Sequence, residues 1–494
     1  MLDFSEYRRY DALGLADLVR RGEVSSLELL DTALARCEAV NPALNAVIRQ
    51  FPERARHLAA TARAEAPFAG VPFLLKDLLA ALAGEVLGYG CAALQQFRPA
   101  YDSELVRRFL AAGLVPFGKT STPEFGLLGY TEPKAHGPCR NPWSLSHTPG
   151  GSSGGAAAAV AAGIVPLAHG GDGGGSIRIP AANCGLFGLK PSRGRVPQGP
   201  DFAEVWSGAV QEHALSRSVR DSAALLDAIA GPDVGAPYRI APSARSYLEC
   251  VATPPERLCI GAVLESSATP IDPDCRQAVE TTIRLLEDLG HRVEVVALPY
   301  EHAVLVECYL SMYYGEVAAA LDWLAEVLGR PVEREDVELE TWILARLGRQ
   351  RSAGEQTRSR QRWNELSRAM GRFHLHYDLL LTPTLATPPV RIGELATPAR
   401  ESLGLKWADR LGLSHLLLGS VHREARRSFA RLPFTQLANL TGQPAMSLPL
   451  HWNQAGLPIG VQLVAAINRE DLLFSLAGEL ESAAPWFDKV PPEC

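Results

Sequence analysis

The sequence predicts an α/β fold, and three features carry that expectation. Between residues 68 and 198, the short β-like runs VPFLL, LVPFGKT, IVPLA and GLFGLK alternate with glycine-rich turns and one alanine-rich stretch, AAAAVAAG at 156–163. Strand, glycine loop and small-residue helix in succession is the pattern of helices packed on a sheet. A second unit follows, with a buried-strand run at 258–264 (LCIGAVL), a helical pattern over 273–289 and a strand at 292–297. Strand character returns late, in YDLLLTPTLATPP, AMSLPLHW and LPIGVQLVA.

In chain order, residues 13–40 carry apolar positions at helical spacing, with Ser26 as the expected N-cap and Glu28 in the first turn. The glycine-rich region 68–198 requires backbones that approach closely. Residues 214–232 read as helix, and 300–375 as a long charged helical stretch interrupted near Gly329, Pro331 and Gly348. Helical character is expected again at 424–440, while 395–425 reads as either a mobile flap or a surface helix. No repeat, low-complexity linker or charge block marks a boundary. The expectation is therefore one domain over 1–494, with 68–198 as its chemical core and about 300–430 as a helical substrate-pocket region.

Composition narrows the function. The apolar share is 47% and the charged share 21%, which is ordinary for a globular chain with a large core. A formal charge of −7 offers no basic footprint for nucleic acid or an anionic membrane. The opening MLDFSEYRRYDALGL lacks a basic segment followed by an apolar one, and the apolar runs read as too short to span a bilayer, so a cytoplasmic enzyme is expected. Nine scattered cysteines (37, 91, 139, 184, 250, 259, 275, 308 and 494) show neither a disulfide framework nor zinc spacing, and read as reduced, mostly buried thiols.

The densest chemical signal runs from Pro149 to Pro197. Two serine loops, Gly150-Gly151-Ser152-Ser153-Gly154-Gly155 and Gly173-Gly174-Gly175-Ser176, flank the alanine-rich segment. Each can present a hydroxyl together with bare backbone N–H groups, which is what an anion-stabilising nest requires. A phosphate loop would show GxxxxGK[ST] or GxGxxG, and neither is present. None of the twelve histidines has a triad context, and no GxSxG elbow occurs.

This block resembles the amidase signature family, whose pattern is GGSSGG, an alanine-rich helix, DxGGSIRxPA and CGxxGLKP, with GVPxxxKD upstream. Gly70-Val71-Pro72, Lys76-Asp77, Gly118-Lys119-Thr120, Asn141-Pro142-Trp143, Asp172, Ser176-Ile177-Arg178 and Cys184-Gly185 through Lys190-Pro191 stand in the expected order. Gly442-Gln443-Pro444 and Pro458 to Gln462 extend the resemblance over nearly the whole chain. It implies a large mixed twisted β-sheet covered by helices on both faces. It also implies Ser176 as nucleophile, Ser152 in a cis peptide as proton relay and Lys76 as base. Backbone N–H groups of Gly173, Gly174, Gly175 and Ser176 would hold the oxyanion, and no metal or cofactor is needed. Ser153, Asp172 and Arg178 would support the loop, Cys184 would pack, and His169 reads as a loop histidine.

The segments around Lys76 and Ser176 look like the branch of 6-aminohexanoate-cyclic-dimer hydrolases and related hydrolases of linear amides, anilides and carbamates. Tyr89, Phe125, Leu128, Gly129, Tyr313 and Tyr314 are the expected substrate contacts, with core packing as the alternative for each aromatic. The expected partner is a small or oligomeric amide or carbamate, with the enzyme a monomer or homodimer. Competing readings are a glutamine-hydrolysing amidotransferase A-type subunit, a non-catalytic amidase-like binding protein and an esterase. One departure stands out: Gly171-Asp172-Gly173 replaces the frequent Thr-Asp-Thr, which would widen or loosen the oxyanion loop.

Overall fold

The computed structural model describes residues 2–397 and 431–492. Most of the 395–425 segment therefore lies outside the described residues, as do Cys494 and the end of the 300–430 region. Eleven strands are described: β1 (Val47–Gln50), β2 (Pro72–Lys76), β3 (Val115–Thr120), β4 (Leu167–Asp172), β5 (Phe187–Lys190), β6 (Gln211–Ser216), β7 (Cys259–Ala262), β8 (Arg292–Val295), β9 (Leu379–Pro383), β10 (Ala445–Trp452) and β11 (Pro458–Ala465). Eight form one mixed sheet in the order β4-β6-β5-β10-β11-β9-β7-β8, and a three-stranded sheet runs β1-β3-β2. Pairing is antiparallel from β4 through β9 and parallel from β9 to β8. The α/β expectation holds.

Several boundaries differ from the sequence reading. The helix Ser26–Leu44 is capped by Ser25, not Ser26, because Ser25 and Glu28 form a reciprocal capping box. β1 and β6 were not expected. β6 occupies Gln211–Ser216, where helix was read from 214, and the helix begins only at Val219 behind its cap Ser218. β4 extends past the apolar run through His169, Gly170, Gly171 and Asp172, so His169 is a strand residue with no exposed surface rather than a loop histidine. The ladder to β6 supplies the pairing that the two glycines lack by propensity.

The 300–375 stretch is three helices, His302–Leu328, Leu339–Arg349 and Ala353–Phe373. The first is long and apolar enough by length and composition to cross a membrane, contrary to the reading of short runs, and 61% of its most apolar window is buried against the rest of the chain. Seven of the eight described cysteines are buried, and Cys259 is partly so.

The alanine-rich helix Gly154–Ala161 brings the serine loops to Lys76. Residues 154–160 are buried on every side, so only small side chains fit. A Cβ on Gly155 would lie 2.4 Å from the backbone nitrogen of Ser121, just beyond β3. That close approach seats the helix start, and Ser152 before it, against the ends of β2 and β3.

Candidate active site

Lys76 is the last residue of β2, aligned with Thr120 of β3 and 1% exposed. Its Nζ lies 2.7 Å from Ser152 Oγ and 3.2 Å from the carbonyl of Gly171. The Gly151–Ser152 peptide is cis. Burial lowers the amine from its usual range to about 7, against the opposing charges of Asp172 and Glu212. Two other lysines, Lys119 and Lys190, are equally buried and lowered to about 8 and about 7, in both cases chiefly by burial. Geometry separates the three: Lys119 and Lys190 donate to the carbonyls of Ala80 and Pro191. Lys76 alone of these meets a hydroxyl. With one N–H given to Gly171, a neutral amine keeps its lone pair for the Ser152 proton.

Ser176 stands on the turn between β4 and the helix Arg178–Cys184, partly exposed within a buried loop. The N–H of Ser153 donates to the Ser176 carbonyl at 3.2 Å, which ties the two serine loops together. Ser153 Oγ bonds both the N–H and the carbonyl of Gly171, so it serves the loop.

Asp172 organises the turn. Its carboxylate accepts from the N–H groups of Gly175 (2.7 Å) and Ile177 (3.2 Å), from Arg178 Nε and Nη2 (2.9 Å each) and from Asn439 Nδ2 (2.9 Å). Burial alone would raise its pKa, but the adjoining Arg178 charge and these donors hold it well below the usual carboxylate range. Arg178 is completed by Gln462 and Asn439 at 2.6 and 2.8 Å.

The expected oxyanion donors need one correction. The N–H of Gly175 is committed to Asp172 and is not free. Those of Gly173, Gly174 and Ser176 have no partner among the described residues. Two contacts orient the peptide planes: Tyr309 Oη donates to the Gly173 carbonyl at 3.1 Å, and Thr435 Oγ1 to that of Gly174 at 2.7 Å. In a trans peptide, C=O and the following N–H point oppositely, so Tyr309 turns the Gly174 N–H away from itself. Glycine is required there, since a Cβ at 174 would lie 2.2 Å from Tyr309 Oη. The glycine at 173 does not loosen the loop as expected. Its open side is filled by Val210 and Trp206, 2.8 and 3.0 Å from where a Cβ would stand.

The expected pocket residues divide. Tyr313 stacks on Tyr309 at 6.0 Å, meets the edge of Trp206 at 5.5 Å and donates to the Leu127 carbonyl. Gly126 approaches Ser152 Oγ, and Gly129 faces Leu432 and Ile179, the latter also bordering Gly175. Leu128 lies between them, partly exposed. Tyr314 does not join this wall: its ring lies under Arg351, and its backbone carbonyl faces Gly348 of the helix Leu339–Arg349. Tyr89 and Phe125 are buried, pack on each other, and Tyr89 also packs on Trp323. Among the described residues no group of His, Cys, Asp or Glu could hold a metal ion. Cys184 is a buried packing thiol.

The amidase family model matches residues 28–474. The chain belongs to the amidase family. It is 38% identical to 6-aminohexanoate-cyclic-dimer hydrolase of a Pseudomonas strain, over 97% of this chain and 96% of that one. Among solved structures it resembles 6-aminohexanoate cyclic dimer hydrolase complexed with substrate (TM-score 0.88, 36% identity, 98% and 99% coverage). It also resembles a bacterial aryl acylamidase of the amidase signature family (TM-score 0.83, 27% identity, 97% and 98% coverage). This amidase is thus a hydrolase of amide C–N bonds built on the amidase-signature fold.

Sequence reasoning did not single out Tyr309, Thr435, Asn439, Trp206 or Glu212, and it read His169 as a loop residue. The spacing of Tyr309 and Tyr313, four residues apart and so on one helix face, is a signal that points to Tyr309 in place of Tyr314. The others come from segments whose approach has no local signature.

Proposed function

We propose that this amidase cleaves neutral, fairly hydrophobic secondary amides or carbamates through a Ser176–Ser152–Lys76 relay and an acyl-enzyme. The observation that carries the reading is the 2.7 Å contact between Lys76 Nζ and Ser152 Oγ, in a loop tied to Ser176. Ser176 Oγ attacks the carbonyl carbon, its proton passes to Ser152 Oγ, and the Ser152 proton passes to neutral Lys76. Lys76 returns a proton by the same path to the leaving nitrogen as the C–N bond breaks. Water then repeats the sequence on the Ser176 ester, with no metal or cofactor. The N–H groups of Gly173, Gly174 and Ser176 would receive the oxyanion.

Substrate class follows from the walls. Tyr309, Tyr313, Trp206, Leu432 and Ile179 offer aromatic and aliphatic surface beside the nucleophile loop, and Arg178 is spent on Asp172. Such walls suit a methylene or aryl acyl group and give a substrate carboxylate no guanidinium fork. The solved relative with its cyclic dimer substrate and the aryl acylamidase support the same class. A panel of cyclic amide dimer, aryl anilide, aryl carbamate, long-chain primary amide and glutamine tests it. One of the first three is expected to give the highest kcat/KM. A maximum for glutamine or the primary amide would overturn the substrate reading and, for glutamine, favour an amidotransferase-type role.

The pH dependence follows from a base that must be neutral. Lys76 loses its proton at about 7, so kcat/KM is expected to rise about tenfold per unit below that pH and to level off above it. A profile falling from an optimum near pH 5 would contradict the relay.

A further inference from the structure

Beside the backbone of Lys76 sits a buried pair that the relay does not use. His169 of β4 and Glu212 of β6 are diagonal neighbours on one face of the ladder, since Glu212 is opposite Gly171 and His169 opposite Ala214. His169 Nε2 lies 3.0 Å from Glu212 Oε1, and the backbone N–H of Lys76 donates to His169 Nδ1 at 3.3 Å. An N–H donated to Nδ1 places the imidazole proton on Nε2, so His169 is neutral and donates to the carboxylate. Burial favours that neutral form, with Glu212 opposing it and the charges of Lys76 and Lys119 adding to it. The ring of Phe109 packs against the imidazole at 5.6 Å and holds it in place.

Two carboxylates act on Lys76, Asp172 from β4 and Glu212 from β6. They are not equivalent. Asp172, the stronger influence of the two, is also paired with Arg178 through two hydrogen bonds. Glu212, 5% exposed, has only neutral His169 at ion-pair distance among the described residues. Its charge also reaches Lys119 of β3 and Tyr89, whereas His213, the next residue of β6, is engaged by Ser222 Oγ.

We propose that the His169–Glu212 pair is the positioning unit of the catalytic lysine: His169 fixes the Lys76 backbone, and the Glu212 carboxylate behind it adds to Asp172 in supporting the ammonium form of the amine. The proposal rests on Lys76 being the base. It assigns both residues to the amidase reaction although neither touches substrate.

The test is the acid limb of kcat/KM. Glu212→Gln keeps an oxygen to accept from His169 and removes the charge that supports the ammonium. The limb is expected to move to lower pH by about half a unit or more. Glu212→Asp, which keeps the charge and shortens the reach, is expected to lower kcat with the limb near its wild-type position. His169→Gln exchanges one neutral group for another and is expected to do the same. The pH dependence of fluorophosphonate labelling at Ser176 reads the same ionisation in variants too slow to turn over, and circular dichroism confirms folding. An unmoved or upward-moved limb in Glu212→Gln would overturn the proposal, as a merely structural role would lower the rate alone. Lys76→Met separates the two assignments. If it keeps the wild-type limb, the base assignment falls and the proposal with it. If it is inactive and Glu212→Gln leaves the limb unmoved, the proposal falls alone.

Discussion

Ser176→Ala is expected to lower kcat/KM by about 10³-fold or more while the protein unfolds at the wild-type denaturant midpoint. The serine is partly exposed, its Oγ has no hydrogen bond among the described residues, and its carbonyl, which accepts from Ser153, is untouched by the change. Only the nucleophile is lost. The oxyanion donors and the aromatic wall remain, so substrate binding should persist, visible as an unchanged dissociation constant for a slow substrate. Residual turnover above a thousandth of wild type, on protein free of wild-type contamination, would remove Ser176 from the chemistry.

Asp172→Ala is expected to act on stability as well as on rate. Asp172 and Arg178 have no exposed side-chain surface, and deleting the carboxylate leaves a guanidinium buried with only Gln462 and Asn439 as amide partners. Breaking a buried pair on one side costs about 3–5 kcal/mol, because the surviving charge is uncompensated. The N–H groups of Gly175 and Ile177 lose their acceptor too, so the turn that presents Ser176 keeps only the Tyr309, Thr435 and Ser153 contacts to hold its shape. Urea denaturation should show the unfolding free energy lowered by that amount, read as an earlier midpoint, and activity should fall even where the variant is folded. An unshifted midpoint would mean that the loop is held by Tyr309 and Thr435 instead.

What could be read without the structure follows from how local each feature is. β2, β3, β5, β7 and β9 to β11 are largely apolar runs with Gly or Pro in them, β8 alternates charged residues with valine, and their positions were legible. β6 was not, since Gln211, Glu212 and His213 are buried polar residues that no strand pattern anticipates, and ALSRSVRDSAALLDAI continues smoothly into a helix. Ser152, Ser176 and Lys76 could be named because the glycine-rich serine loops stand out locally and, with the upstream lysine, follow the order of the amidase signature pattern that they resemble. Asn439 and Thr435 lie more than 250 residues from the loop they hold, and only the folded sheet brings them there. Gly175 shows the limit of motif reasoning: its N–H is in the right loop, yet Asp172, three residues earlier, had already taken it.

The covalent intermediate is the most direct sign of Ser176 acting as the nucleophile. Enzyme mixed with an aryl anilide or aryl carbamate, quenched in acid within the first turnovers and analysed by peptide mass spectrometry, should carry the acyl mass on the peptide containing Ser176. The Ser176→Ala variant should carry none, and Lys76→Met should accumulate little because attack is slowed. An acyl group found on another residue, or turnover with no covalent species at any quench time under conditions where deacylation limits the rate, would contradict Ser176 as the nucleophile of an acyl-enzyme.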